Sequence, residues 1–253
     1  MVSVTDFIKK TKQPRGGYLP LSKFSQKKLS KLEEEISIND ENIHPSIVGM
    51  VVDYLTRYKQ GADSVEAFNI SISGALRTRE SGIALHLLYQ IVNGDDEQSV
   101  EAACKIVGFD MQYRVGYMTR SVNDINADEK TIKNIIKMLS NSEEYFDYLG
   151  GACISGFSFY EAYDGCEISK GDADFLTETS LVDFKVSVKK PSSSDTLQII
   201  IYYILGLRSY LKEEFEKIDS LKFFNPRLNT EWSINVKDID KKVIKTVENL
   251  IYK

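Results

Sequence analysis

The sequence GDADFLTETSLVDFKVS, residues 171–187, is typical of two short strands joined by a turn. Because side chains alternate along a strand, Asp183 and Lys185 share one face of the second strand, and Val182 and Phe184 share the other. The apolar face is expected to pack in a core. The charged face is therefore either exposed to water or part of a functional site.

A further acidic residue, Asp174, lies on the first strand, beside Asp183 if the two strands run in opposite directions from the turn. Two carboxylates form the oxygen-rich site that Mg²⁺ or Mn²⁺ prefers. Such a metal ion can polarise a phosphodiester and activate water, while the Lys185 ammonium positions the nucleophile or offsets developing charge. The alternative is a solvated face on which Asp and Lys pair across strands. Asp172 is predicted to lie on the face opposite Asp174 and to stabilise the turn region.

The segment TLQIIIYYILGL, residues 196–207, predicts a helix that is apolar nearly all round and therefore buried. Gln198 and Tyr202 lie four residues apart on one face of this helix. Buried polar groups need hydrogen-bond partners, which a neighbouring catalytic pocket would provide. Ordinary backbone partners are the alternative.

The rest of the chain predicts helices before residue 150 and mainly strands after it. Periodicity and capping signals predict helices at 45–58, 65–75, 82–92, 99–106 and 128–149, with an extended segment at 111–118. Beyond residue 151 we expect strands at 153–163 and 229–236, a turn at 223–229, a helix from Ser194 or Asp195 to about Glu214, and a helix from Ile239 to Tyr252.

Three short motifs follow one another on the predicted strand, strand and helix: Gly171-x-x-Asp174, Asp183-x-Lys185 and Gln198-x-x-x-Tyr202. This order resembles the PD-(D/E)XK nuclease superfamily, whose RecB-like branch is marked by GxxD, (D/E)xK and QxxxY. The resemblance implies an α/β (mixed α+β) fold with a restriction-endonuclease-like core, a central mixed sheet flanked by helices. It places this core at residues 151–253. A helical N-terminal region, residues 1–150, would contribute the first core helix near 45–58 and complete one compact domain.

The resemblance also implies roles for individual residues. Asp174 and Asp183 would be catalytic and bind Mg²⁺ or Mn²⁺, and Lys185 would be the catalytic lysine. Gln198 and Tyr202 would contact the site or the nucleic acid. Lys189 and Arg208 are further candidates for holding the phosphate backbone.

An upstream motif extends the resemblance to the predicted helix at 45–58. RecB-like nucleases often carry GxxxH on an early helix, with the histidine reaching the metal. The chain has Gly49-x-x-x-Asp53 in a comparable place, so Asp53 is a third candidate metal ligand. The alternative is an exposed helical aspartate.

Composition bounds the class of protein. The chain has 253 residues with a net charge of −5, and its three cysteines lack the CxxC spacing of a zinc site. No signal peptide or membrane-length apolar run is evident, so we expect a soluble, cytoplasmic protein without a membrane partner. Eight basic residues and no acidic one lie between Lys9 and Lys31, which is either a phosphate-binding arm or a solvated charge run.

Three functions remain open. The first is a metal-dependent nuclease that hydrolyses DNA, as an exonuclease or an endonuclease, in repair, phage replication or bacterial defence. The second is a catalytically inactive nucleic-acid-binding or regulatory protein on the same fold. The third is a structural protein whose charged strand face is only solvated. A protein partner or a homo-oligomer is compatible with each.

Overall fold

The computed structural model describes residues 2–29 and 36–252, so Lys31 of the basic run and Glu33 to Glu35 lie outside the described residues. The described residues form eleven α-helices: α1 Val4–Lys10, α2 Pro45–Lys59, α3 Ser64–Ala67, α4 Asn69–Thr78, α5 Ser81–Gln90, α6 Glu97–Ile106, α7 Asp110–Val115, α8 Glu129–Leu149, α9 Ser193–Gly206, α10 Lys212–Phe215 and α11 Lys241–Ile251. Within these residues no helix is both long enough and apolar enough to cross a membrane.

Six strands form one mixed sheet: β1 Ser25–Lys28, β2 Ile154–Ser158, β3 Asp172–Leu176, β4 Ser180–Phe184, β5 Ser220–Asn225 and β6 Thr230–Asn235. The strand order is β1-β6-β5-β4-β3-β2. Only β4 and β5 pair in parallel, and helix α9 lies in the crossover between them. The other pairs are antiparallel. The prediction of a mixed α/β fold with helices flanking a central mixed sheet is therefore confirmed.

Helices cover both faces of the sheet. On one face α1, α9 and α11 pack together over buried side chains such as Leu181 and Phe223. On the other face Tyr145 and Phe146 of α8 pack against a cluster of buried apolar side chains that includes Val182 and Phe184. The apolar face predicted for β4 is thus confirmed as a packed face.

The helices between residues 36 and 150 form a second core, in which α2 contacts α6 and α8. Pro45 begins α2 as predicted, because proline is well suited to the first turn of a helix. Asp128 caps α8 as predicted, and Gly150 ends it in the left-handed conformation. The division of the chain at residue 150 stays a prediction, although α1 packs against α9 in the second half.

Several element predictions are wrong in detail. Residues 110–115 form helix α7, whereas an extended segment was expected at 111–118. Residues 220–225 form strand β5, which overlaps the turn predicted at 223–229. Strand β2 ends at Ser158 and is followed by a 3-10 turn, Tyr160–Tyr163. Helix α9 is capped by Ser192 and ends at Gly206, earlier than expected.

Candidate active site

The candidate site lies where β3 and β4 separate. Their pairing covers only Phe175 with Val182 and Leu176 with Leu181. Toward the site, the Phe184 backbone N–H donates to Asp174 Oδ2 at 2.9 Å instead of to a strand partner. This hydrogen bond fixes one oxygen of the Asp174 carboxylate.

Asp183 and Lys185 form a tight ion pair at the end of β4. Lys185 Nζ lies 2.7 Å from Asp183 Oδ2, yet this oxygen has no partner in hydrogen-bond geometry. Asp183 is only 3% exposed, which contradicts the alternative of a solvated charged face.

Helix α9 supplies the polar partners of Lys185. Lys185 Nζ donates to Gln198 Oε1 at 3.0 Å and lies 3.4 Å from Asp195 Oδ1. Gln198 Nε2 in turn donates to the Tyr202 hydroxyl at 2.9 Å. The two polar residues predicted on a buried helix thus find their partners in the charged cluster and in each other.

Helix α2 brings a carboxylate and a guanidinium to the same place. Arg57 Nε and Nη2 donate to the two oxygens of Asp53 at 3.0 and 2.7 Å. Arg57 Nη2 also lies 3.5 Å from Asp174 Oδ1. The alternative of a fully exposed helical aspartate is wrong, because the Asp53 side chain is only 18% exposed.

Negative charge is in excess in this cluster. Four carboxylates, those of Asp53, Asp174, Asp183 and Asp195, share two cations, Arg57 and Lys185. Burial raises the pKa of Asp183 to about 7; Lys185 opposes the shift, and Asp174 adds to it. Burial likewise raises the pKa of Asp53 to about 6, against the effect of Arg57. A bound cation would relieve this repulsion.

The cluster opens into a cleft of about 320 Å³ that is lined by Asp53, Asp174, Asp183, Lys185 and Gln198 among others. A second cavity of about 590 Å³ adjoins it and shares Asp174, Gln198 and Tyr202 with the first. Lys9, Arg114 and Lys170 line this second cavity, so basic side chains flank the carboxylates. Phosphate groups could be held there beside the reacting bond.

Two predicted contact residues lie outside the cluster. Lys189 is exposed in the loop after β4, and its side chain lines neither cleft. Arg208 follows α9 at the end remote from Gln198, where it pairs with Glu248 and lies over the Tyr252 ring. A role for either in binding nucleic acid stays a prediction.

Three residues of the site were missed or misplaced from the sequence. Asp172 shares the face of Asp174, because residues two apart on a strand point the same way, and it lines both cavities. Its predicted position on the opposite face is wrong. Asp195 closes a capping box with Ser192, and the sequence indicates it only as a possible start of α9. Arg57 is absent from the predicted site, although its spacing of four residues from Asp53 on a helix is a signal for an ion pair.

The donor set fits a single Mg²⁺ or Mn²⁺ ion. Among residues 2–29 and 36–252 no three His, Cys, Asp or Glu side chains are grouped for metal binding. Mg²⁺, however, usually keeps several waters and needs only one or two carboxylates. Asp174 and Asp183 supply these, and both line the same cleft.

The chain matches no family model, no curated protein and no solved structure.

Proposed function

We propose that the chain is a metal-dependent nuclease that hydrolyses phosphodiester bonds of DNA in the cytoplasm, on a restriction-endonuclease-like core of the PD-(D/E)XK type. One observation carries the proposal. Asp174, Asp183 and Lys185 from two strands, and Gln198 and Tyr202 from the next helix, meet in one cleft. Three motifs that are each weak alone are thereby joined in a single site.

The residues divide the chemistry between them. Asp174 and Asp183 would hold Mg²⁺ or Mn²⁺, which when bound lowers the pKa of water and polarises the phosphate. The Lys185 ammonium is kept charged by Asp183 and Asp195, which raise its pKa against the effect of burial. It can donate to a phosphate oxygen or to the attacking water, and so stabilise the charge of the transition state.

Gln198 positions Lys185 for this role. Its carbonyl oxygen accepts from the ammonium while its amide is fixed by the Tyr202 hydroxyl. Tyr202 in turn stacks on Phe159, with ring centroids 5.5 Å apart. Burial raises the pKa of Tyr202 well above 10, so the phenol stays neutral and serves as a hydrogen-bonding support.

A test compares cleavage of single-stranded, double-stranded and branched DNA and of RNA, with Mg²⁺, Mn²⁺ or EDTA. The variants are Lys185→Ala and Asp183→Asn. Lys241→Ala serves as a control, because Lys241 is an exposed lysine on α11 that lines neither the cleft nor the second cavity. We expect metal-dependent cutting that falls at least about 100-fold in the two site variants and is unchanged in the control. No cutting by the native chain, or equal cutting by all variants, would refute the proposal.

The second candidate is an inactive nucleic-acid-binding or regulatory protein on the same fold. It is favoured by Arg57, whose guanidinium contacts Asp53 and Asp174, two of the three carboxylates predicted to bind the metal. This candidate predicts DNA binding in EDTA that Lys185→Ala leaves unchanged. A mobility-shift titration alongside the cleavage assay distinguishes the two functions.

A further inference from the structure

Arg57 is held in the candidate site by both of its charged neighbours. It engages both oxygens of Asp53 in the two-pronged geometry that suits a guanidinium and a carboxylate. It reaches Asp174 with the same Nη2 that contacts Asp53. Only 8% of Arg57 is exposed, so this guanidinium is an internal part of the site.

The backbone of β2 leaves room for this side chain. Gly156 adopts a φ of +61°, and a Cβ built there would come within 2.3 Å of Arg57 Nη1. Any larger residue at position 156 would displace the guanidinium. On α2 itself the Tyr54 ring lies 5.3 Å from the Arg57 guanidinium carbon.

These contacts engage both oxygens of Asp53. Mg²⁺ and Mn²⁺ bind carboxylate oxygen at short distances in near-octahedral geometry, and a guanidinium on the same oxygens both blocks the approach and repels the dication. Asp183 is contacted by the Lys185 ammonium at Oδ2, and Asp174 lies 3.5 Å from Arg57, so the two-pronged guanidinium contact is made to Asp53. The carboxylates of the cluster are therefore not equivalent.

We propose that Arg57 is a positioning residue that takes the place of a second metal ion, so that the site binds one divalent cation, on Asp174 and Asp183, and Asp53 anchors Arg57 instead of the metal. The inference rests on the proposed function. It also gives the site a fixed positive charge 3.5 Å from the Asp174 carboxylate, which would supply part of the charge that a second ion supplies in two-metal sites.

The experiment titrates the full chain with Mn²⁺ alone, without nucleic acid, and counts bound ions by the electron paramagnetic resonance signal of free Mn²⁺. We expect one ion per native chain. Asp53→Asn is expected to retain one ion, with a Kd weakened by no more than about 100-fold, because Asp53 is not a ligand but anchors Arg57 beside one. Arg57→Gln is expected to bind a second ion, and Arg57→Lys to restore one.

Arg114→Gln is the matched control. Arg114 lines the same cavity but pairs with Asp110 and the Tyr54 hydroxyl, so its loss removes a nearby charge without freeing Asp53. It should bind one ion. Circular dichroism and urea unfolding establish whether each variant is folded. If Arg57→Gln does not fold, Asp53→Asn alone decides whether Asp53 is a metal ligand.

The outcomes separate the two proposals. Two ions in the native chain, a Kd weakened more than about 100-fold by Asp53→Asn, or a single ion in folded Arg57→Gln would overturn the inference and leave the proposed nuclease intact. An absence of Mn²⁺ binding to the native chain would overturn both.

Discussion

Asp183 is a buried carboxylate whose proton affinity differs between the folded and the unfolded chain. Its pKa is raised by burial to about 7 in the folded chain, from an ordinary value near 3.8. The folded chain therefore binds more protons between these values. By linkage, the contribution of Asp183 to the free energy of unfolding is full below about pH 4 and is lost as the pH rises through 7.

Replacing this carboxylate should therefore stabilise the metal-free chain at neutral pH. Burial disfavours the ionised Asp183 carboxylate, and asparagine cannot ionise. The free energy of unfolding of Asp183→Asn in EDTA should therefore exceed the native value by about 1 kcal/mol or more at pH 8. Below about pH 4 the two should be nearly equal, and the difference should grow as the pH rises from 4 to 7. Urea unfolding at pH 3.5, 5, 6, 7 and 8 measures the difference.

An exposed aspartate provides the control for this pH series. Asp164→Asn changes the same functional group at an exposed position of the loop before β3, so its stability should follow that of the native chain at every pH. If the difference in stability between the native chain and Asp183→Asn does not change with pH, the raised pKa of Asp183 is contradicted.

The residues of the cluster were predictable to different degrees. Asp174, Asp183 and Lys185 follow from strand alternation, and Gln198 and Tyr202 from polar groups on an apolar helix. Arg57 could not be identified in this way, because ion pairs spaced by four residues are common on solvated helices. Its role depends on Gly156, about 100 residues away, which makes room for the guanidinium.

At the scale of elements, Gly171 sets the distance between α1, β3 and α9. A Cβ at this position would lie 2.6 Å from Val4 Cγ2 and 3.3 Å from Tyr202 Cε1. Gly171 is buried and its carbonyl accepts from the Tyr163 hydroxyl at 2.9 Å, so the strand cannot simply move away. The glycine of the first motif is therefore required by packing.

Gly171→Ala should destabilise the chain and displace Tyr202. Overpacking of a well-filled core costs about 1–3 kcal/mol, which urea unfolding would detect. The matched control is Gly82→Ala in α5, where a Cβ would meet nothing within 4 Å and helix propensity favours alanine. If Gly171→Ala were as stable as the native chain, the close packing of α1 on α9 at this point would be refuted.

The elements with strong helical periodicity were the ones that the sequence predicted well. Helices α2 and α8 begin at the expected proline and aspartate, since capping and an apolar stripe act together there. Strand β5 has no apolar–polar alternation because five of its six residues are buried. Helix α7 contains Tyr113 and Val115, which favour strands, but it directly continues the turn after α6.

At the scale of the whole molecule, the sheet is completed by segments from both ends of the chain. Strand β1 forms its edge beside β6, and α1 packs on α9. On the opposite face, Tyr145 of α8 stacks on Phe224 with ring centroids 3.9 Å apart. The predicted nuclease core, residues 151–253, thus takes part of its covering from residues before 150.

A fragment of residues 151–253 alone should therefore fail to fold cooperatively. Without α8, one face of the sheet would expose apolar side chains such as Phe175 and Phe224, which are fully buried in the whole chain, and without α1 part of α9 would be uncovered. Trp232, the single tryptophan, is 3% exposed in the whole chain and reports on both proteins. We expect the full chain to give a blue-shifted emission and a sharp urea transition, and the fragment to give red-shifted emission without a transition. A cooperative transition in the fragment would show that its core is independent, because the strands would then bury their faces without the N-terminal helices.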